Sequence, residues 1–151
     1  MTGHELAMAL RKAYLAMHRR TDAAMAPAGV TADQFVALDS LAAAGSLTQK
    51  QLATRTATDP NTLRAMLLLL ERQGLVARKP HPADGRARSV TLTPAGRTVH
   101  RKLWRASESL RAEMLARLAE PEVAKLVALL GRFAAAMESG GPRTKATGAA
   151  P

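Results

Sequence analysis

Apolar positions recur at helical spacing along most of this chain and switch to alternation in one stretch. The pattern predicts helices interrupted by a hairpin. Leu6, Leu10, Tyr14 and Met17 form the first stripe and predict a helix over Gly3 to Met25, ended by Pro27-Ala28-Gly29. Thr31 can cap a second helix carrying Phe35, Leu38 and Leu41, which Gly45 closes. Thr48 and Gln51 have capping-box spacing, and Leu47 and Leu52 can form the hydrophobic staple around that cap, so a short helix runs from Gln49 to Thr56. The next helix opens at Asp59-Pro60, where a carboxylate accepts from free amides and proline takes the first helical position, which needs no donor. Leu63, Met66, Leu67 and Leu70 mark its buried face. Gly74 can turn left-handed to end it, with Leu75 placed to touch Leu70 as in a Schellman stop.

After Gly74 the period changes. Leu75 to Lys79 reads as a strand and Arg88 to Thr93 as its partner, with Val90 and Leu92 on one face. Between them Pro80-His81-Pro82-Ala83-Asp84-Gly85-Arg86 is a turn by composition. The interval from the Thr48 cap to the end of this two-stranded hairpin is compact and leaves no room for another element. Thr93-Pro94 then starts a long helix to about Leu118, with Val99, Leu103, Leu110, Met114 and Leu118 on a broad apolar stripe. Pro121 restarts a last helix in which Leu126, Leu130, Phe133 and Met137 recur at heptad-like spacing. Residues 139–151 turn to Gly, Pro, Thr and Ala and read as a flexible tail. A helix, a turn, a second helix and a hairpin describe a winged helix-turn-helix, so the expected fold is mainly α with a small β wing.

Composition sharpens the picture. The chain has 151 residues, 47% hydrophobic but only 3% aromatic, so Leu, Ala, Met and Val must build a helical core. The formal charge of +10 points to an anionic partner. Between Ser46 and Arg105 the acidic residues are only Asp59, Glu71 and Asp84, so the excess is concentrated on the winged helix-turn-helix and the first half of the helix after it. Cysteine is absent, which excludes thiol redox sensing, disulfides and Cys-based zinc sites. The N-terminus has no signal-peptide pattern and no apolar run approaches the ~20 residues of a membrane span, so the cytoplasm is the expected compartment.

No phosphate-cradling loop, dinucleotide fingerprint or nucleophile elbow points to an enzyme, and no cofactor is expected. His4-Glu5 lacks the second histidine of a zinc helix, and His18, His81 and His100 lack metal-ligand spacing, so no metal site is expected from sequence. Those histidines could still converge in space. The rival readings are therefore a histidine-based metal-responsive regulator, a sequence-indifferent DNA-packing protein, and a basic helix bundle on acidic membranes, for which a hairpin adds nothing.

Three segments carry a family resemblance. Val30-Thr31-Ala32-Asp33-Gln34-Phe35, Leu70-Glu71-Arg72-Gln73-Gly74-Leu75-Val76-Ala77-Arg78, and Asp84-Gly85-Arg86 followed by Val90-Thr91-Leu92-Thr93-Pro94-Ala95-Gly96 resemble the MarR family of bacterial transcription regulators. The last, an Asp-x-Arg turn running into Leu-Thr-x-x-Gly, is the most diagnostic. The resemblance implies a homodimer on a pseudo-palindromic operator, often released by a small molecule. It implies one MarR-like domain over 1–138, with the winged helix-turn-helix at 30–96 and dimerisation helices at 3–25 and 94–138. The chain departs from the family at Leu68 and Leu69, where polar or charged residues are usual, and at Ala65, often a basic DNA contact. Those departures argue against the usual charged bridge from recognition helix to wing.

On this reading Thr58 to Arg64 enters the major groove. Asn61 can bond an adenine edge twice, Arg64 a guanine edge or phosphate, Thr62 a base or thymine methyl, while Pro60 offers apolar contact. Thr48, Gln49 and Lys50 open the preceding helix on the DNA side. Arg86 at the hairpin tip can enter an A·T-rich minor groove, with Asp84 holding the turn. Lys50, Arg78, Lys79 and Arg88 are phosphate clamps. Leu6, Leu10, Leu118, Leu126, Leu130, Phe133 and Met137 are the expected dimer contacts, which would set two recognition helices about 34 Å apart on an inverted repeat. Tyr14, His18, Phe35, His100 and Trp104 are the candidates to line an effector crevice between the dimerisation helices and the reading head.

Overall fold

The computed structural model describes residues 1–140. In chain order it contains α1 (Gly3–Met25), α2 (Ala32–Ala44), β1 (Ser46–Thr48), α3 (Gln49–Thr56), α4 (Pro60–Arg72), β2 (Val76–Pro80), β3 (Arg88–Leu92), α5 (Pro94–Ala106), α6 (Glu108–Ala116) and α7 (Glu120–Ser139). A 3-10 turn, Ala26–Ala28, joins α1 to the loop before α2. Two compact units share the chain, the first Met1–Leu110 and the second starting at Arg111.

Cap chemistry sets most of these boundaries. Thr31 accepts from the Gln34 amide at 3.1 Å while Gln34 Oε1 accepts from the Thr31 amide at 3.0 Å. Thr48 and Gln51 repeat the arrangement at 3.1 and 2.9 Å. Each pair satisfies two amides that the helix itself leaves without partners. At the far end of α4, Gly74 has φ 72°. Its amide bonds Glu71 O at 2.9 Å, and the Leu75 amide bonds Leu70 O at 2.9 Å, which is the complete Schellman pattern.

The core of the first unit is aliphatic. Met25, Leu38, Leu41, Leu52, Leu63, Leu67, Leu70, Val90 and Leu103 are all but fully buried, drawn from α1 through α5 and the sheet. Phe35 and Leu47 pack on its margin. Gly96 is the tightest point. A Cβ there would lie 1.9 Å from the Leu75 carbonyl oxygen. Thr93 secures the same corner, its amide donating to Leu75 O at 3.1 Å and its hydroxyl to Gly74 O at 2.6 Å. The glycine of the Leu-Thr-x-x-Gly segment is thus required by close approach of α5 to the exit of α4.

Three expectations are corrected. The sheet has three strands, in the order β1-β3-β2, rather than two. β1 pairs antiparallel with β3, Leu47 opposite Val90, and the Ser46 and Ser89 hydroxyls lie 2.6 Å apart. Three residues are too few to show alternation, and Thr48 is already committed as a helix cap. β2 begins at Val76 rather than Leu75 and runs to Pro80, which sits opposite Arg88 at the end of an edge strand, where a missing donor is tolerated. The long helix expected from Pro94 to Leu118 breaks at Ser107. Ser107 is buried and its hydroxyl donates to Trp104 O at 3.0 Å, a local bond that competes with the helical ladder.

In the second unit α7 starts as expected near Pro121, with Glu122 Oε2 accepting from the Ala119 amide at 2.7 Å. None of its residues is buried, and Leu126, Leu130, Phe133 and Met137 are all exposed. Leu6 and Leu118 are exposed and Leu10 is half-buried. Ser139, placed in the tail by composition, is the last residue of α7, and residues 141–151 of that tail lie outside the described residues.

Candidate nucleic-acid interface

The turn between α3 and α4 is built by short polar residues. Ala57 takes the left-handed conformation at φ 51°, the one non-glycine among the described residues to do so. The Thr56 hydroxyl donates to Leu52 O at 2.8 Å and lies 2.9 Å from the Thr58 hydroxyl, so Thr58 serves the turn. Asp59 Oδ1 then accepts from the amides of Asn61 at 2.9 Å and Thr62 at 3.0 Å. The carboxylate is thereby spent on the helix's own donors and complements its positive end. Pro60, Asn61, Thr62 and Arg64 are exposed on the outward side of α4.

Not every residue expected on this interface is free to serve it. The Thr48 oxygen accepts from the Gln51 amide, which leaves its O–H to donate, and Gln49 is half-buried, whereas Lys50 is exposed. Arg78 pairs through Nε with Glu71 and its side chain is only 19% exposed. The helix therefore does have a charged bridge to the wing strand, one turn later than the positions whose leucines suggested its loss. Glu71 is visible in sequence, but its pairing depends on β2 folding back beside α4.

The wing tip is a hydrogen-bonded turn. The His81 amide donates to Ala87 O at 2.9 Å and the Ala87 amide to Asp84 O at 3.1 Å. Asp84 Oδ1 accepts from the Arg86 amide at 3.0 Å, so the acid holds the turn from inside. The Arg86 guanidinium has no partner among the described residues, and Arg86, Lys79 and Arg88 are exposed.

The residues expected to line an effector crevice fall into two separate clusters. Tyr14 stacks on His18 at 5.5 Å, and His18 Nε2 lies 3.3 Å from Asp22 Oδ2 and His18 Nδ1 3.9 Å from Asp33 Oδ1. Asp22 also accepts from the Ala32 amide at 2.6 Å, joining α1 to the start of α2. In the other cluster Phe35 stacks on His100 at 6.2 Å, His100 lies 6.2 Å from Trp104, and His100 Nε2 is 2.9 Å from Asp39 Oδ1.

Beside that second cluster a cleft of about 350 Å³ is lined by Asp39, Ala42, Ala43, His100, Arg101, Trp104 and Arg105. Sequence reasoning missed Asp39, the two alanines that open the space, and the two arginines. A signal existed: Phe35 and Asp39 on α2, and His100 and Trp104 on α5, are matching i, i+4 pairs. Among the described residues no three His, Asp or Glu side chains are placed to hold a metal ion. Among the same residues no helix is long and apolar enough to cross a membrane.

Comparison with known proteins places this geometry. The family model for the MarR family matches residues 30–87, and the multiple antibiotic resistance protein MarR of Salmonella typhimurium is 35% identical over 110 residues, spanning 72% of this chain and 76% of that protein. The HTH-type transcriptional repressor Rv2887 of Mycobacterium tuberculosis is 33% identical over 100 residues, spanning 66% of this chain and 72% of that protein. The fold is similar to a MarR variant from E. coli solved with operator DNA, at TM-score 0.78 and 28% identity over 85% of this chain and 93% of that one. It is also similar to Bordetella bronchiseptica BpsR, whose DNA binding is regulated by 6-hydroxynicotinic acid, at TM-score 0.77 and 29% identity over 89% of this chain and 93% of that one.

Proposed function

The chain belongs to the MarR family, and from that premise we propose that it is a transcriptional repressor that binds an inverted-repeat operator in duplex DNA as a homodimer. The observation that carries this reading is the pairing of a capped α4, exposing Asn61, Thr62 and Arg64, with a wing whose Arg86 has no partner among the described residues. Asn61 reads an adenine edge, and Arg64 a guanine edge or phosphate. Arg86 enters the minor groove, and Lys50, Lys79 and Arg88 hold phosphates. Arg78 acts indirectly, fixing β2 against α4 through Glu71.

The cleft beside α2 and α5 is the effector site on this reading. His100 and Trp104 supply flat faces, and Arg101 and Arg105 supply positive charge at the rim, which suits a planar aromatic acid. Such a ligand weakens DNA binding by its differential affinity for two arrangements of the heads, typically ~1–3 kcal/mol.

Selection of bound duplexes from a random pool at fixed salt tests the reading. The expected product is an inverted repeat with half-sites about 34 Å apart. Equal affinity for selected and random duplexes would remove the regulator and leave a DNA packer.

A further inference from the structure

The centre of the outward face of α4 is apolar, which hydrogen-bond readout does not explain. Leu63, Leu67 and Leu70 are buried, and at about 100° per residue the line opposite them runs through Asn61, Ala65, Leu68 and Arg72. Leu68 is 40% exposed at the middle of that line, between a polar residue and a cation. Leu69 lies to one side, toward Thr62.

Resting on the DNA-binding reading above, we propose that Leu68 is a specificity-determining residue that touches the C5 methyl group of a thymine in the major groove. Ala65, one turn earlier, is small enough to let the helix approach the bases. The major groove offers one apolar group, the methyl of thymine, and otherwise presents donors and acceptors. A leucine set against guanine, cytosine or adenine would strip water from those polar edges without replacing it, so the contact also rejects the other bases. Charge favours DNA over an apolar protein as the occupant. Arg64 and Arg72 on α4, and Lys50 and Arg55 on α3, are all exposed cations on the same helix-turn-helix. From Asn61 to Leu68 the helix advances about 10 Å, so the thymine lies within about three base pairs of the base that Asn61 reads.

The test uses the full chain and its selected operator, with each thymine replaced in turn by deoxyuridine, which deletes only the methyl. At one thymine per half-site the wild-type protein should lose about fourfold in affinity, the effect of one methyl-sized apolar group. Leu68→Ala, at an exposed position, should bind the thymine operator more weakly and show less than a twofold penalty for uracil at that site. Leu68→Gln should select a different base there. The proposal is overturned if the operator is bound specifically yet no uracil replacement costs more than twofold. It is equally overturned if Leu68→Ala keeps the full uracil penalty, which would assign the methyl contact to another residue, such as Thr62 or Leu69. Failure to select any operator would instead defeat the DNA-binding reading itself.

Discussion

Arg86 and Gly96 both belong to the segment that runs from the Asp-x-Arg turn into Leu-Thr-x-x-Gly, yet opposite physics governs them. Arg86 is fixed by its backbone to Asp84, which leaves the guanidinium to reach outward. Arg86→Ala should cost about 1–3 kcal/mol of operator affinity and leave the oligomeric state unchanged. Fluorescence anisotropy alongside sedimentation checks this, and unaltered binding would mean the wing does not contact DNA. Gly96 is a packing residue. Gly96→Ala forces a Cβ against the Leu75 carbonyl, 1.9 Å away before relaxation, and should destabilise the fold by about 1–3 kcal/mol or more, measured by chemical denaturation. Both residues stood out in the sequence, but only the motif was legible for Gly96. Its cause, a carbonyl 21 positions earlier in the chain, exists only after β2 and β3 have paired. Arg78 shows the same limit from the other side: its charge was legible and its engagement with Glu71 was not.

At the scale of elements, the boundaries that were legible are those set by local hydrogen bonds. Thr31, Thr48 and Asp59 cap their helices within three residues, so spacing alone locates them. β1 and the break at Ser107 escaped because their causes are distant or buried: β1 exists through β3, 43 residues away at the Ser46–Ser89 pair, and Ser107 is a buried serine whose part-buried hydroxyl bond goes to Trp104 O. The capping box of α1 adds a pH dependence. The Thr2 amide donates to Glu5 at 2.6 Å, and bonds to the backbone and then the side chain of Thr2 hold the Glu5 carboxyl below its ordinary value of 4.5. A lowered carboxylate stabilises the folded form above its unfolded value and ceases to do so as pH falls through the lowered one. The first turn of α1 should therefore fray on acidification, seen as a falling protection factor of the Leu6 amide, which bonds Thr2 O at 3.2 Å, once the intrinsic exchange rate at each pH is divided out. Glu5→Gln should flatten that response; a Leu6 protection factor indifferent to pH in the wild type would contradict it.

For the whole molecule, the decisive fact is the contrast between a first unit with a closed aliphatic core and an α7 with no buried residue. Leu126, Leu130, Phe133 and Met137 return every three or four residues along α7, so they form one stripe rather than scattered exposure. Against a second copy, such stripes can contribute to an interface of the ~1,600 Å² that a stable dimer uses. Phe133→Asp places a charge in that stripe and should give a protein that is helical but monomeric at micromolar concentration by sedimentation. Its DNA binding then distinguishes dimerisation from a merely structural role. Each phosphate contact lowers log K by ~0.9 per unit of log salt, and a dimer makes its contacts twice, once per half-site. The salt slope of the Phe133→Asp variant should therefore fall to about half that of the wild type, with a loss of affinity because the second half-site is no longer held nearby. Arg86→Ala, in contrast, should remove about one contact per head and keep the dimer. A Phe133→Asp protein that stays dimeric with an unchanged slope would move the interface off α7, whereas a monomer with the full slope would mean that one head alone makes every phosphate contact.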